Sequence, residues 1–292
     1  MQKSFNTAGP IKPERHYHIP LLQRVDWEEI RYLIDAEKYF ILHAPRQTGK
    51  TSTLLEMMRV LNIEGKYAAL YANIEAAQAA RGDEKSGIPT VCSAIVDSIE
   101  LYLKDRLTPN WYYEYKDTIP AGNLLSKLLA YWSIHSPKPV VLLLDEVDAL
   151  IGNTLISLLR QIRARYAQRP QAFPQTIVLC GVRDVKDYRI HTRDDEIITG
   201  GSAFNIKTKS IRMGGFSEAE TRALLLQHTE ATGQRFDDAL FEELWLDTWG
   251  QPWLVNALAH EMTHKDREAR RDRSLVIGLE KYKEARERLW SS

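Results

Sequence analysis

Two kinds of apolar pattern alternate along this chain. Short continuous runs, such as Tyr39-Phe40-Ile41-Leu42, Val140-Val141-Leu142-Leu143-Leu144 and Ile177-Val178-Leu179-Cys180, suit strands buried on both faces. Between them, apolar residues recur every three or four positions, as on one face of a helix. The runs predict strands over 38–44, 66–74, 140–146 and 176–184. The helical patterns predict 26–36, capped by Asp26, and 50–62, with Leu54, Leu55, Met58 and Leu61 on one side. They also predict 89–107, opened by Pro89, then 122–135, then 149–166 capped by Asp148. Strands alternating with helices imply a parallel sheet with right-handed crossovers.

Glycine and proline divide the rest. Pro10, Pro13 and Pro20 block helix in the first twenty residues and predict an extended arm. Residues 81–87, with Gly82 and Gly87, read as a polar loop, and the aromatic group Trp111-Tyr112-Tyr113-x-Tyr115 as loop packing. Aromatics of this kind can stack on nucleic-acid bases, but no run of basic residues accompanies them here. Gly200-Gly201-Ser202 breaks the chain before an edge strand over 204–213. After Gly214-Gly215 the pattern is helical only. Ser217-x-x-Glu220 is a capping box opening a helix to 232, followed by helices over 237–248, 252–264 and 274–290. The expected organisation is an arm, 1–20, an α/β domain, 21–213, and an all-helical domain, 214–292.

The chemistry sits at two strand ends. Ala44-Pro45-Arg46-Gln47-Thr48-Gly49-Lys50-Thr51 directly follows the first apolar run and precedes a helix that begins with Ser52 and Thr53 near its start. Such a strand–loop–helix presents backbone N–H groups to a polyphosphate, with a lysine for the β- and γ-phosphates and a hydroxyl for Mg²⁺. Lys50 and Thr51 supply these groups, and residues 44–52 form the expected phosphate cradle. Ala44 stands where the pattern G-x-x-x-x-G-K-[ST] has its first glycine, a change tolerated if its φ is negative. The run 140–144 ends in Asp145-Glu146. A carboxylate there suits Mg²⁺, held directly or through water, and a second suits orientation and deprotonation of an attacking water.

Together these segments resemble the Walker A and Walker B motifs of the AAA+ ATPases. More narrowly, they resemble the STAND branch and the AAA-like domains related to archaeal ATPases and origin-recognition initiators. The resemblance spans about residues 15–265. It implies a P-loop NTPase fold, a parallel sheet flanked by helices, followed by an all-helical lid. It implies ATP or ADP with Mg²⁺ as cofactors, Thr51 and Asp145 as metal-holding residues, and Lys50 and Glu146 as catalytic ones. Thr176 to Asp184 resembles a sensor strand, which makes Arg183 a γ-phosphate sensor or, as readily, a salt-bridged surface arginine. Thr248-Trp249-Gly250-Gln251-Pro252-Trp253 resembles the lid motif whose proline contacts nucleotide, although Pro252 also suits a plain first helical position. Tyr17-His18-Ile19-Pro20 resembles the segment flanking adenine. Relatives form rings or stacks, so a homo-oligomer is implied, with Arg160, Arg163 and Arg165 open as intersubunit arginines or as a solvated face. No sensor 2 arginine is visible.

Charge and composition narrow the partners. Lysine plus arginine equals aspartate plus glutamate, 39 each, so the balance does not indicate a nucleic-acid binder. No apolar run is long enough to span a membrane, and the start of the chain lacks a signal-peptide pattern. Cys92 and Cys180 stand apart in apolar surroundings, which predicts reduced core residues of a cytoplasmic protein. No N-K-x-D base-reading motif accompanies the loop, so the resemblance favours adenine over guanine. Three roles stay open: an ATPase that remodels a partner, such as a protein client, or a nucleic acid, a slow nucleotide switch, and an ATP-dependent DNA-binding initiator or transposition-type regulator.

Overall fold

Four apolar runs and the expected edge strand assemble into one parallel sheet. The structure, a computed structural model, describes residues 3–183, 189–191, 197–199 and 207–291. Its strands are β1 (Tyr39–His43), β2 (Ala68–Asn73), β3 (Val140–Asp145), β4 (Thr176–Gly181), β5 (Arg189–His191), β6 (Ile197–Thr199) and β7 (Lys207–Arg212). The sheet order is β2-β3-β4-β1-β7, with every pairing parallel. Strands β5 and β6 form a separate antiparallel pair that the apolar pattern did not announce. The expected breaker at 200–202 lies outside the described residues.

Burial explains the strength of the central strands. Val140, Leu142 and Leu144 of β3 face a core built with Leu70, Ile177 and Leu179, while Val141 and Leu143, on the other face, are equally buried. Each such side chain contributes about 1.5–3 kcal/mol relative to exposure. The helices over this core are α3 (Glu84–Ser98), α5 (Ala121–His135) and α6 (Gly152–Ala164); α1 (Trp27–Asp35), α2 (Lys50–Glu64) and α4 (Leu107–Tyr115) complete the set before β4. Asp26 caps α1 as expected, accepting from the Glu29 N–H at 3.0 Å.

Four expectations are corrected. The loop 81–87 is mostly helix, because α3 starts at Glu84, with Asp83 accepting from the Lys85 N–H at 3.2 Å. Gly87 breaks nothing there. It brings α3 against Thr154, whose Cγ2 would lie 2.4 Å from a Cβ at position 87. The same helix passes into one π turn, Ile99–Leu103, and stops at left-handed Lys104 rather than at 107. The aromatic group is the helix α4, not a loop. Trp111 stacks on Tyr131 with centroids 4.7 Å apart, and the Tyr112 hydroxyl donates to the Pro89 carbonyl at 2.9 Å. Finally, Asp148 caps no helix. A 3-10 turn, Val147–Ala149, intervenes, and Asp148 Oδ1 accepts from the Val182 N–H at 3.2 Å.

Beyond β7 come α7 (Glu218–Thr232), α8 (Asp238–Thr248), α9 (Pro252–His260), α10 (Arg267–Arg271) and α11 (Leu279–Trp290). The Ser217–Glu220 capping box forms. The last helix starts later than 274, because Ile277 pairs with the backbone around Phe236 and is held extended.

Packing divides the chain into two units, 26–45 with 54–212, and 1–25 with 46–53 and 213–292. The second unit therefore takes in the arm and residues 46–53, between β1 and the body of α2, along with the helical region. Phe5, Tyr17 and Ile19 of the arm are buried with Leu224, Leu240, Leu244 and Leu258. His18 exchanges two hydrogen bonds with the Gln227 side chain, its N–H donating at 3.1 Å and its carbonyl accepting at 2.9 Å. Tyr17 and Ile19, read above as flanking adenine, are core residues of this unit.

His228 lies buried in that core, with Nε2 3.0 Å from Gln234 Oε1 and Nδ1 3.4 Å from the Tyr17 hydroxyl. Burial, aided by the charge of Arg273, lowers its pKa below the ordinary 6.5. The unfolded chain therefore takes up this proton first as pH falls, so the contribution of neutral His228 is complete above pH 6.5 and is lost below it. Thermal melts from pH 7.5 to 5 should show wild type losing stability, with a shallower loss in His228→Gln. Some slope persists in the variant, since burial also lowers His260 and His16. Equal slopes for the two proteins would show that His228 is not held neutral.

Candidate functional site

The parallel strands end on one edge of the sheet, where β1, β4 and β3 terminate in His43, Gly181 and Asp145. Ligands of open α/β sheets bind outside the carboxyl ends of strands. The chain leaves β1 through Ala44, whose N–H donates to the Gly181 carbonyl at 3.2 Å. Pro45, Arg46 and Gln47 are exposed, whereas Thr48 and Lys50 are buried and Thr51 half-buried. The left-handed positions fall at Gln47 (φ 59°) and Gly49 (φ 90°), not at Ala44. This explains why alanine serves where the pattern has a glycine, and why the second glycine is present.

Helix α2 begins at Lys50, and its first i→i−4 bond runs from the Thr53 N–H to the Gly49 carbonyl at 3.0 Å. At the start of any helix the first N–H groups have no i−4 acceptor inside it, and the helix dipole adds partial positive charge there. Loop and helix start thus have the geometry of an anion cradle. The Ser52 hydroxyl points elsewhere, accepting from the arm at the Ile11 N–H, 2.9 Å.

The loop is tied to the helical region at two carbonyls. Gln251 Nε2 donates to the Arg46 carbonyl at 3.4 Å, while Gln251 Oε1 accepts from the Leu254 N–H at 2.6 Å and caps α9. Pro252 is buried at the first position of α9, so the motif residue in contact with the loop is Gln251. The second tie is Arg24, which donates to the Thr48 carbonyl through Nη1 and to the Gly214 carbonyl at 2.8 Å through Nη2. No local pattern marks Arg24, whose partners lie 24 and 190 positions along the chain, and Gln251 stands in the quoted motif only as the neighbour of Pro252.

On the sheet side, Asp145 is fully buried. Its Oδ2 accepts from the Tyr71 hydroxyl at 3.2 Å and its Oδ1 from the Glu146 N–H at 3.0 Å. Tyr71 is a further residue that sequence reading passed over, although it stands in β2, the strand paired with β3. Glu146 is half-buried and left-handed, φ 60° and ψ 38°. Arg183 is exposed, two positions past the end of β4. Arg46 to Ser52 and Pro252 therefore belong to one unit, and Asp145, Glu146 and Arg183 to the other.

Arg160 and Arg163 are exposed on α6. Arg169, by contrast, is structural. Its guanidinium lies 3.5 Å from the Tyr166 ring centroid and donates to the Glu37 and Gln175 carbonyls. Among the described residues, no group of three or more His, Cys, Asp or Glu is placed to hold a metal. A single carboxylate such as that of Asp145 still suits Mg²⁺, which commonly takes one or two carboxylates and completes its shell with phosphates and water. Cys92 and Cys180 are buried thiols. Among the described residues no helix is long and apolar enough to cross a membrane.

No protein-family model matches the sequence, and no curated protein matches it. Solved structures do match. The Walker-type ATPase of Pyrococcus abyssi superposes with a TM-score of 0.53 at 13% identity, over 88% of this chain and 70% of that one. The ORC2 protein of Aeropyrum pernix, solved in ADPNP–ADP complexes, gives 0.55 at 13% identity, over 97% and 70%. Cdc6p of Pyrobaculum aerophilum gives 0.55 at 16%, over 88% and 65%. The fold is therefore that of the AAA+ P-loop ATPases, a five-stranded parallel sheet flanked by helices with a helical C-terminal part. At these identities the likeness establishes the fold alone.

Proposed function

We propose that this chain binds ATP with Mg²⁺ on residues 44–52 and hydrolyses it to ADP and phosphate. The observation that carries the reading is the loop, left-handed at Gln47 and Gly49, that delivers Lys50 to the start of α2. Lys50 offsets charge on the β- and γ-phosphates, and the first amides of α2 hold the phosphate oxygens. Thr51 and Asp145 are the residues that would hold Mg²⁺, which when bound neutralises charge developing on the phosphates. Asp145, fixed by Tyr71, keeps its carboxylate oriented. Glu146 accepts the proton of the attacking water, and Arg183 reads the γ-phosphate. The STAND reading, with Pro252 at the nucleotide, and a homo-oligomeric assembly belong to the same proposal. So does a cytoplasmic protein with a protein client. The zero charge balance speaks against DNA as the main partner.

A slower switch is the second reading. It is favoured by the Gln251 bond to the Arg46 carbonyl, which couples the loop to the first turn of α9. Phosphate release separates the two readings, with turnover supporting the ATPase and retained nucleotide without turnover the switch.

Lys50→Ala should weaken ATP binding by about 100-fold or more, as loss of a charge-assisted phosphate contact implies. Calorimetric titration of wild type and variant measures this. Equal affinities would remove Lys50 from the site, and a wild type that binds no nucleotide would sink the reading of residues 44–52.

A further inference from the structure

We infer that Arg24 is a positioning residue for the phosphate loop, aiming the Gly49 amide into the cradle and tying it to the chain at Gly214. The inference rests on the nucleotide reading above and adds a residue outside the loop. Three contacts carry it. Nη1 donates to the Thr48 carbonyl, Nη2 donates to the Gly214 carbonyl at 2.8 Å, and the guanidinium carbon stands 4.7 Å from the Phe216 ring centroid. The Thr48–Gly49 peptide is trans, so its C=O and N–H point in opposite directions. Holding the carbonyl at Arg24 therefore fixes where the Gly49 N–H points. A Cβ at position 49 would lie 2.9 Å from Arg24 Nη1, so the guanidinium packs directly on the loop backbone. Burial lowers the Arg24 pKa to about 10, against the opposing charge of Glu220, so the group stays charged near neutral pH. A planar fork reaching two carbonyls at once is a geometry lysine cannot copy.

The test is ATP titration and steady-state phosphate release for wild type, Lys50→Ala, Arg24→Lys and Arg24→Met, each with a thermal melt. Arg24→Lys should bind ATP about 10- to 100-fold more weakly, with a raised KM and a largely unchanged kcat, and melt close to wild type. Wild-type binding and kinetics in a folded Arg24→Lys overturn the inference, as does a loss in kcat alone. If wild type binds no ATP, the nucleotide reading itself fails, and the two failures are distinct. Should both Arg24 variants fail to fold, ADP titration of isotope-labelled wild type decides. Arg24 guanidinium resonances that shift together with the Gly49 amide support the inference, and Arg24 resonances that stay still while Gly49 shifts overturn it.

Discussion

Glu146→Gln is expected to keep ATP binding near wild type and to lower turnover by about 100-fold or more, as removal of a general base does. The amide has the shape of the carboxylate but cannot accept the proton of water near neutral pH. Position makes this substitution informative. Glu146 directly follows buried Asp145, donates its N–H to Asp145 Oδ1 at 3.0 Å, and adopts a left-handed backbone that costs a non-glycine residue about 1–2 kcal/mol. Glutamine inherits the same backbone and volume, so the melting temperature should hardly move. Single-turnover and steady-state phosphate release, with ATP binding measured alongside, provide the check. Turnover within a few-fold of wild type would take the general-base role away from Glu146. Loss of binding and turnover together would instead make Glu146 a structural residue.

The largest effect on stability is expected at Gly250. Its φ is +66°, and a Cβ there would lie 1.9 Å from the Phe216 carbonyl oxygen and 2.6 Å from Trp245 Cζ3. The neighbouring backbone cannot yield easily, since the Phe216 N–H donates to the Gly250 carbonyl at 2.7 Å. Gly250→Ala should cost about 3 kcal/mol or more, from a forced φ and a backbone clash together. Gly233 offers the matched control. Its φ is +77°, with nothing within 4 Å of an added Cβ, so Gly233→Ala should lose only about 1–2 kcal/mol. Denaturant unfolding of the pair separates the terms. Equal losses would mean that φ alone sets the cost and that the clash relaxes.

The features that could be read from sequence share a local cause. Strand β3 and its terminal Asp145 follow from five consecutive aliphatics, α2 from apolar spacing behind the loop, and the start of α7 from a capping box of adjacent residues. The misread features depend on distant partners. Gly87 looks like a loop residue and Pro89 like a helix start until Thr154 is seen packed on the helix that holds both. Asp148 looks like a cap until the Val182 N–H claims it. At the candidate site, Lys50, Asp145 and Glu146 announce themselves by motif. Arg24 and Tyr71, which bond to the backbone of Thr48 and the carboxylate of Asp145, carry no local signature.

The helical unit gathers its pieces from 1–25, 46–53 and 213–292, and that assembly fixes an order of events during synthesis. Phe5 and Tyr17 leave the ribosome well before the side chains that bury them, Leu224 to Tyr282. Until then the arm and the loop residues lack the packing that holds them. The strands of the sheet have all emerged by Arg212 and can pair first. A nascent chain halted before about residue 213 would therefore expose Phe5 and Tyr17 to chaperones and proteases, and an intact phosphate loop becomes a late product of translation.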